Sequence, residues 1–82
     1  MIYTMHSILL SVTVFSFDKG EENSTHASEG DAMVTVLDGK GKFTIGGDVY
    51  FLEEGQTIIM PKDIPHSVFC EEKFKMLLVV SF

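Results

Sequence analysis

The stretch Gly55-Gln56-Thr57-Ile58-Ile59-Met60-Pro61-Lys62-Asp63-Ile64-Pro65-His66-Ser67-Val68-Phe69-Cys70 holds a turn, a strand, a rigid loop and a second strand in sequence order. Glu53-Glu54-Gly55 turns the chain, and Thr57 to Met60 is a short β-branched run stopped by Pro61. Lys62-Asp63-Ile64-Pro65 is a loop held at both ends by proline, whose φ is locked. His66 is the first residue beyond that loop and opens the run His66 to Cys70. Strand side chains alternate between faces, so His66, Val68 and Cys70 share one face.

The same grammar extends outward in both directions. β-branched and aromatic runs of four to ten residues are separated by Gly, Asp, Asn or Pro, and no window sustains a helical period. Strands are expected at Ser7 to Phe17, Ala32 to Leu37, Lys42 to Ile45, Val49 to Leu52, Thr57 to Met60, His66 to Cys70 and Phe74 to Phe82, about seven in all. The polar segment Glu21 to Gly30, which carries His26, reads as a loop. Gly46-Gly47-Asp48 is a short Gly-rich connection of the kind that favours a primed hairpin turn. The expectation is a single all-β domain over residues 1–82, with no helix beyond one or two turns and no internal repeat.

Composition narrows the function classes. The chain has 82 residues, 45% of them hydrophobic with seven Phe, enough for one core. Six Lys, no Arg and twelve acidic residues give a net charge of −6, which repels a phosphate backbone and argues against nucleic-acid partners. Without Arg there is no bidentate clamp for phosphate or carboxylate groups, so a small neutral or metal-chelating ligand fits better than an anion. The apolar stretch Ile8 to Phe17 is too short to span a membrane and lacks the features of a secretory signal. The single cysteine, Cys70, requires no oxidising compartment, and the expected setting is the cytoplasm.

Two segments resemble the paired motifs of the cupin superfamily, whose members are jelly-roll β-barrels. The second motif runs Gly, five residues, Pro, one residue, Gly, two residues, His, three residues, Asn. Gly55, Pro61 and His66 fall in register, with Asp63 in place of the second Gly and Cys70 in place of Asn. The first motif runs Gly, five residues, His, one residue, His, three or four residues, Glu, six residues, Gly. Gly20, His26 and Gly39 match, while Ser28 stands at the second His position and Ala32 at the Glu position. The resemblance covers about two thirds of the chain and resembles small single-domain microbial cupins of the conserved-barrel type. It implies a barrel whose mouth receives His26 and His66 from neighbouring strands, as ligands of a divalent transition metal or of a small organic molecule.

Each candidate has a plainer reading beside the functional one. His66 could be a pocket histidine bonded to backbone, and His26 a solvated loop residue. Ser28, Asp31, Ala32 and Cys70 are candidate pocket-lining positions. Asp31 lies one residue from the vacant Glu position, and a one-residue shift reverses the face, so its alternative role is to cap a turn through backbone N–H groups. Cys70 has no Lys or Arg cluster around it to lower its pKa, and its alternative is small core filling. No catalytic residue is assigned. The aromatic and Met residues, Tyr50, Phe51 and Phe69 among them, are expected mostly in the core, with those near the mouth as candidates to line an apolar pocket.

Three functions compete: a metal-dependent enzyme with dioxygenase, isomerase or lyase chemistry, a metal-free small-molecule binding module, and a structural protein with a vestigial pocket. Two imidazoles leave a metal short of the three or four protein donors of a stable site. No nucleotide cofactor is implied. A homodimer is expected, because few residues precede the first motif and one sheet edge would be exposed, with Ser7 to Phe17 and Lys73 to Phe82 packing or pairing across the interface.

Overall fold

A computed structural model describes residues 2–6, 9–25 and 30–82. Among them there is no helix. The strands are β1 (Ile2–His6), β2 (Leu10–Phe17), β3 (Glu22–Thr25), β4 (Asp31–Asp38), β5 (Lys40–Ile45), β6 (Asp48–Glu53), β7 (Thr57–Met60), β8 (His66–Phe69) and β9 (Phe74–Ser81). They form a five-stranded sheet in the order β1-β2-β9-β4-β7 and a four-stranded sheet in the order β3-β8-β5-β6, antiparallel throughout. The fold is an all-β jelly-roll barrel.

The seven expected strands are present, within a residue or two at most ends, and two more join them. Residues 22–25, Glu-Asn-Ser-Thr in sequence, were expected as loop but pair with β8 through Glu22↔Phe69 to Thr25↔His66. Their polar composition carries no strand signal, and the pairing comes from the free edge that β8 offers. The other addition, β1, covers β2 through Ile2↔Phe15 to His6↔Ser11. β9 is therefore not an edge: it lies third of five, between β2 and β4. The expected edge pairing through Ser7 to Phe17 or Lys73 to Phe82 is corrected accordingly, since β2 and β9 both have neighbours on each side.

Turn chemistry sets the register. Gly46 and Gly47 take φ of 57° and 90° between Ile45 and Asp48, the two positive values that a type I′ hairpin needs. Gly20, Gly39 and Gly55, the three motif glycines, also have positive φ, and Asp63 has φ 66° at the fourth motif position. The spacing of the two motifs is thus partly a spacing of left-handed turns, and Asp is among the few other residues that tolerate one.

Inside the barrel, alternate residues of the two sheets face each other. Ala32, Val34, Val36, Met60, Phe74 and Met76 from one sheet meet Phe43, Leu52, Val68 and Cys70 from the other, all buried. One end is filled by rings. Phe17 stacks on Phe74 with centroids 4.9 Å apart and on Phe15 at 5.8 Å, while Phe43 meets Phe74 edge-on at 6.0 Å. Gly41 lets the chain pass this cluster, because a Cβ there would lie 2.8 Å from the Phe74 ring.

Candidate functional site

The barrel differs at its other end, where β8 begins and the β5–β6 hairpin turns. The register Thr25↔His66↔Ile45↔Asp48 forms a row across the four-stranded sheet. Opposite it runs the row Ser11↔Val80↔Ala32↔Met60. His66 is half-buried and shares the inward face with Val68 and Cys70, which are fully buried. Its Nδ1 lies 3.4 Å from the Ile64 carbonyl, at the long limit of a hydrogen bond. That placement favours the Nδ1–H tautomer, which leaves Nε2 with acceptor character.

Next to His66 an open cleft of about 390 Å³ lies between the sheets, where edge strand β6 faces edge strand β7. Among the described residues its walls include Ile45, Ile58 and Ile59, with Pro61 and Ile64 from the proline-bounded loop and Asp48 and Tyr50 from β6. It is joined to His66 twice: Ile45 is its cross-strand partner, and Ile64 supplies the carbonyl at its ring. Aliphatic walls with a carboxylate and a phenol at one side suit a small, largely apolar molecule oriented by one or two hydrogen bonds.

The candidates from the sequence separate clearly. Ala32 is buried on the inward face, where its methyl group offers no donor at the carboxylate position of the first motif. Asp31 is exposed, and the Lys62 N–H donates to its Oδ1 at 2.9 Å, so it ties the start of β4 to the loop that carries His66. Its role is the capping one, acting across chain segments rather than within a turn.

Cys70 stands at the far end of β8, fully buried, and its thiol donates to the Glu72 carbonyl at 2.8 Å. Burial pushes the thiol pKa above its ordinary value of 9.0, and the charges of Glu21 and Asp18 push the same way, against a backbone hydrogen bond at Phe74 that lowers it. A neutral, enclosed thiol is core filling. His26 and Ser28 lie outside the described residues.

The motif resemblance implies a transition metal at this mouth. Among the described residues no three of His, Cys, Asp and Glu converge, and Ala32 supplies nothing where a carboxylate would ligate. The described donors alone do not make a metal site of three or four ligands.

Sequence reasoning expected an apolar pocket at the mouth but did not sort its residues, and the isoleucines and Asp48 of the cleft wall were not among those it named. Tyr50 and Phe51 were both expected mostly in the core, but Tyr50 is 43% exposed on edge strand β6, and Phe51, 51% exposed, points to the outer face of its sheet. Only the alternation of Asp48, Tyr50 and Leu52 on one face hinted that a strand of the barrel turns from core to opening.

Comparison with known proteins agrees with this architecture. The cupin-domain family model matches residues 13–82. A conserved protein of unknown function from Streptococcus pyogenes is similar, with 49% identity and a TM-score of 0.94, over 99% of this chain and 72% of that one. A cupin 2 conserved barrel domain protein from Leptotrichia buccalis shares 39% identity with a TM-score of 0.96, over 100% of this chain and only 40% of its own length. A cupin superfamily protein from Desulfitobacterium hafniense, 24% identical with a TM-score of 0.91 over 100% of this chain and 78% of that one, shares the fold. No protein of curated function matches. With the family model matching most of its length and a close relative sharing half its residues, the chain belongs to the cupin family.

Proposed function

We propose that this cupin domain binds a small, largely apolar organic molecule at the barrel mouth, in the cleft between β6 and β7, with His66 as a polar contact from the barrel interior. The observation that carries this reading is the cleft itself, an aliphatic space of about 390 Å³ walled by Ile45 and Ile64, the two neighbours of His66, with Asp48 and Tyr50 at one side. The ligand is neutral or cationic: the chain carries no Arg and a net charge of −6, and the wall offers a carboxylate rather than a cation. Asp48 accepts from a donor on the ligand, Tyr50 donates or accepts, and His66 Nε2 accepts. A binding module needs nothing further, and no reaction is assigned.

Matched aromatic probes test this. Benzylamine and benzyl alcohol should raise the melting temperature of the protein in a dose-dependent way and benzoate should not, with the benzylamine effect weakened in Asp48→Asn. Equal shifts with benzoate, or none with any probe at millimolar concentration, would remove the cleft as a ligand site.

A second reading has its own observation. His26 and His66 both fall in register with the histidines of the two cupin motifs, which supports a divalent metal held by these two side chains and completed by water. Elemental analysis of protein purified without a metal-affinity tag separates the two: about one equivalent of a transition metal, lost in His66→Ala, supports the metal, and less than a tenth of an equivalent supports the metal-free module. We place the protein in the cytoplasm, on the strength of its unpaired, buried Cys70. No helix of the described residues is long and apolar enough to cross a membrane.

A further inference from the structure

Residues 61–65, between β7 and β8, supply Pro61 and Ile64 to the cleft wall and lead directly into His66. All five are exposed, so burial does little to fix them, and a segment with few buried contacts depends on its hydrogen bonds. Among the described residues three such bonds shape it. The Ile64 N–H donates to the Pro61 carbonyl at 3.3 Å and closes a turn around Asp63, whose φ of 66° few residues other than glycine adopt without cost. The Gly46 N–H donates to the Pro65 carbonyl at 2.9 Å and docks the far end of the loop on the β5–β6 hairpin. The Lys62 N–H donates to Asp31 Oδ1 at 2.9 Å and docks the near end on the start of β4. The turn bond is long and the Gly46 bond lies beyond Ile64. The near anchor is therefore a single side chain, 31 residues away in sequence.

Ile64 sits between the two anchors and serves both parts of the mouth. Its side chain lines the cleft, with Cγ2 3.3 Å from the place a Cβ on Gly46 would take, and its carbonyl is the one 3.4 Å from His66 Nδ1. A shift of Ile64 changes the shape of the cleft and the bond that orients the imidazole together.

We infer that Asp31 is a positioning residue for the mouth: its carboxylate fixes Lys62, and through the loop it holds Ile64 against the hairpin and the Ile64 carbonyl at His66. Asp31 itself does not line the cleft. It stands one residue before the inward-facing Ala32, so the carboxylate beside the vacant motif position acts on the site through backbone and not as a ligand. A carboxylate accepting from a backbone N–H makes a stronger bond than a neutral acceptor does, and the loss of one such bond corresponds to roughly a five- to tenfold change in the population of the docked loop. The effect on binding rests on the cleft being the ligand site, whereas the effect on His66 does not.

Asp31→Ala and Asp31→Asn, compared in two measurements, decide the matter. Asp31 is exposed, so neither change threatens the barrel, and both circular dichroism spectra should match the wild type. The first measurement is a titration with benzyl alcohol, which is uncharged and does not respond directly to the lost carboxylate charge. Asp31→Ala should raise its dissociation constant about fivefold, while Asp31→Asn, which keeps an acceptor oxygen for the Lys62 N–H, should stay within about twofold of the wild type. The second is the nitrogen NMR spectrum of the His66 ring at pH 8 without ligand. The ring should be mainly the Nδ1–H tautomer in the wild type and in Asp31→Asn, and should move toward an even mixture in Asp31→Ala. A residue with a purely structural role would lower the melting temperature and leave the tautomer alone. An unchanged His66 tautomer in Asp31→Ala, or equal effects of Asp31→Asn and Asp31→Ala, would overturn the inference. Should the wild type bind no benzyl alcohol, the cleft fails as a ligand site, and the tautomer alone decides the role of Asp31.

Discussion

The two ends of the barrel are made from the same strands and are put to different use. At the end where β9 begins, Phe74 is gripped by Phe17 and Phe43, and Gly41 and Gly39 let the backbone approach within contact of it. At the end where β9 finishes, the strands carry Leu78 and Val80, the opposite sheet supplies Ile45 and His66, and the space toward β6 and β7 stays open. In an 82-residue domain with one small core, a filled end provides cohesion, and that lets the other end leave a cavity unfilled. Substitutions should therefore cost stability at the aromatic end and binding at the mouth.

The strongest break in that contrast is Phe74→Ala, which empties the centre of the ring cluster and should cost about 3–5 kcal/mol. For a domain of this size that is most of its stability, and urea titration should find the variant largely unfolded at 25 °C. Ile59→Ala, at the mouth and 55% exposed, should change the urea midpoint little, with a cost under about 1 kcal/mol.

Turn glycines sharpen the same comparison. A Cβ on Gly39 would lie 2.2 Å from the Lys73 carbonyl oxygen, in addition to a φ of 80°, whereas nothing lies within 4 Å of one on Gly20, at φ 88°. Gly39→Ala should cost roughly 2–3 kcal/mol and Gly20→Ala roughly 1 kcal/mol, read from thermal denaturation.

Much of this contrast was legible in the residues. Pro61, Pro65 and the positive-φ turns at Gly20, Gly39, Gly46, Gly47 and Gly55 punctuate the chain strongly enough to place most strands before any contact is known, and the motif resemblance implied the jelly roll. The polar strand Glu22–Thr25 was not legible, because its pairing with β8 is decided by tertiary proximity rather than propensity. The direction of His66 followed from alternation. The cleft did not, since it exists only where two edge strands distant in sequence come to face each other.

Cys70 supplies a pH test at the closed end. Its pKa is raised in the folded protein, so above pH 9.0 the unfolded chain releases this proton while the folded one keeps it, and stability falls as pH rises from there toward the folded value. Below that window the contribution is fully present. Cys70→Ala should flatten the alkaline decline measured by urea midpoint, and the native thiol should react with iodoacetamide at pH 8 at least 100-fold more slowly than the denatured one.

Asp31→Ala removes the acceptor for the Lys62 N–H and should cost about 1 kcal/mol while loosening the loop before His66. The smallest change, Asp63→Gly, relieves φ 66° at the motif position where the family carries glycine, and should raise stability by a few tenths to about 1 kcal/mol.

The mouth can be observed directly, because four of the six isoleucines, Ile45, Ile58, Ile59 and Ile64, line the cleft, while Met76 is buried at the filled end of the barrel. Methyl-labelled Ile and Met spectra recorded during a benzylamine titration should show saturable shifts at those four isoleucines, weaker in His66→Ala, with the Met76 methyl unmoved. Shifts centred on Met76, or spread evenly over all methyl groups without saturation, would contradict a ligand pocket at the barrel mouth.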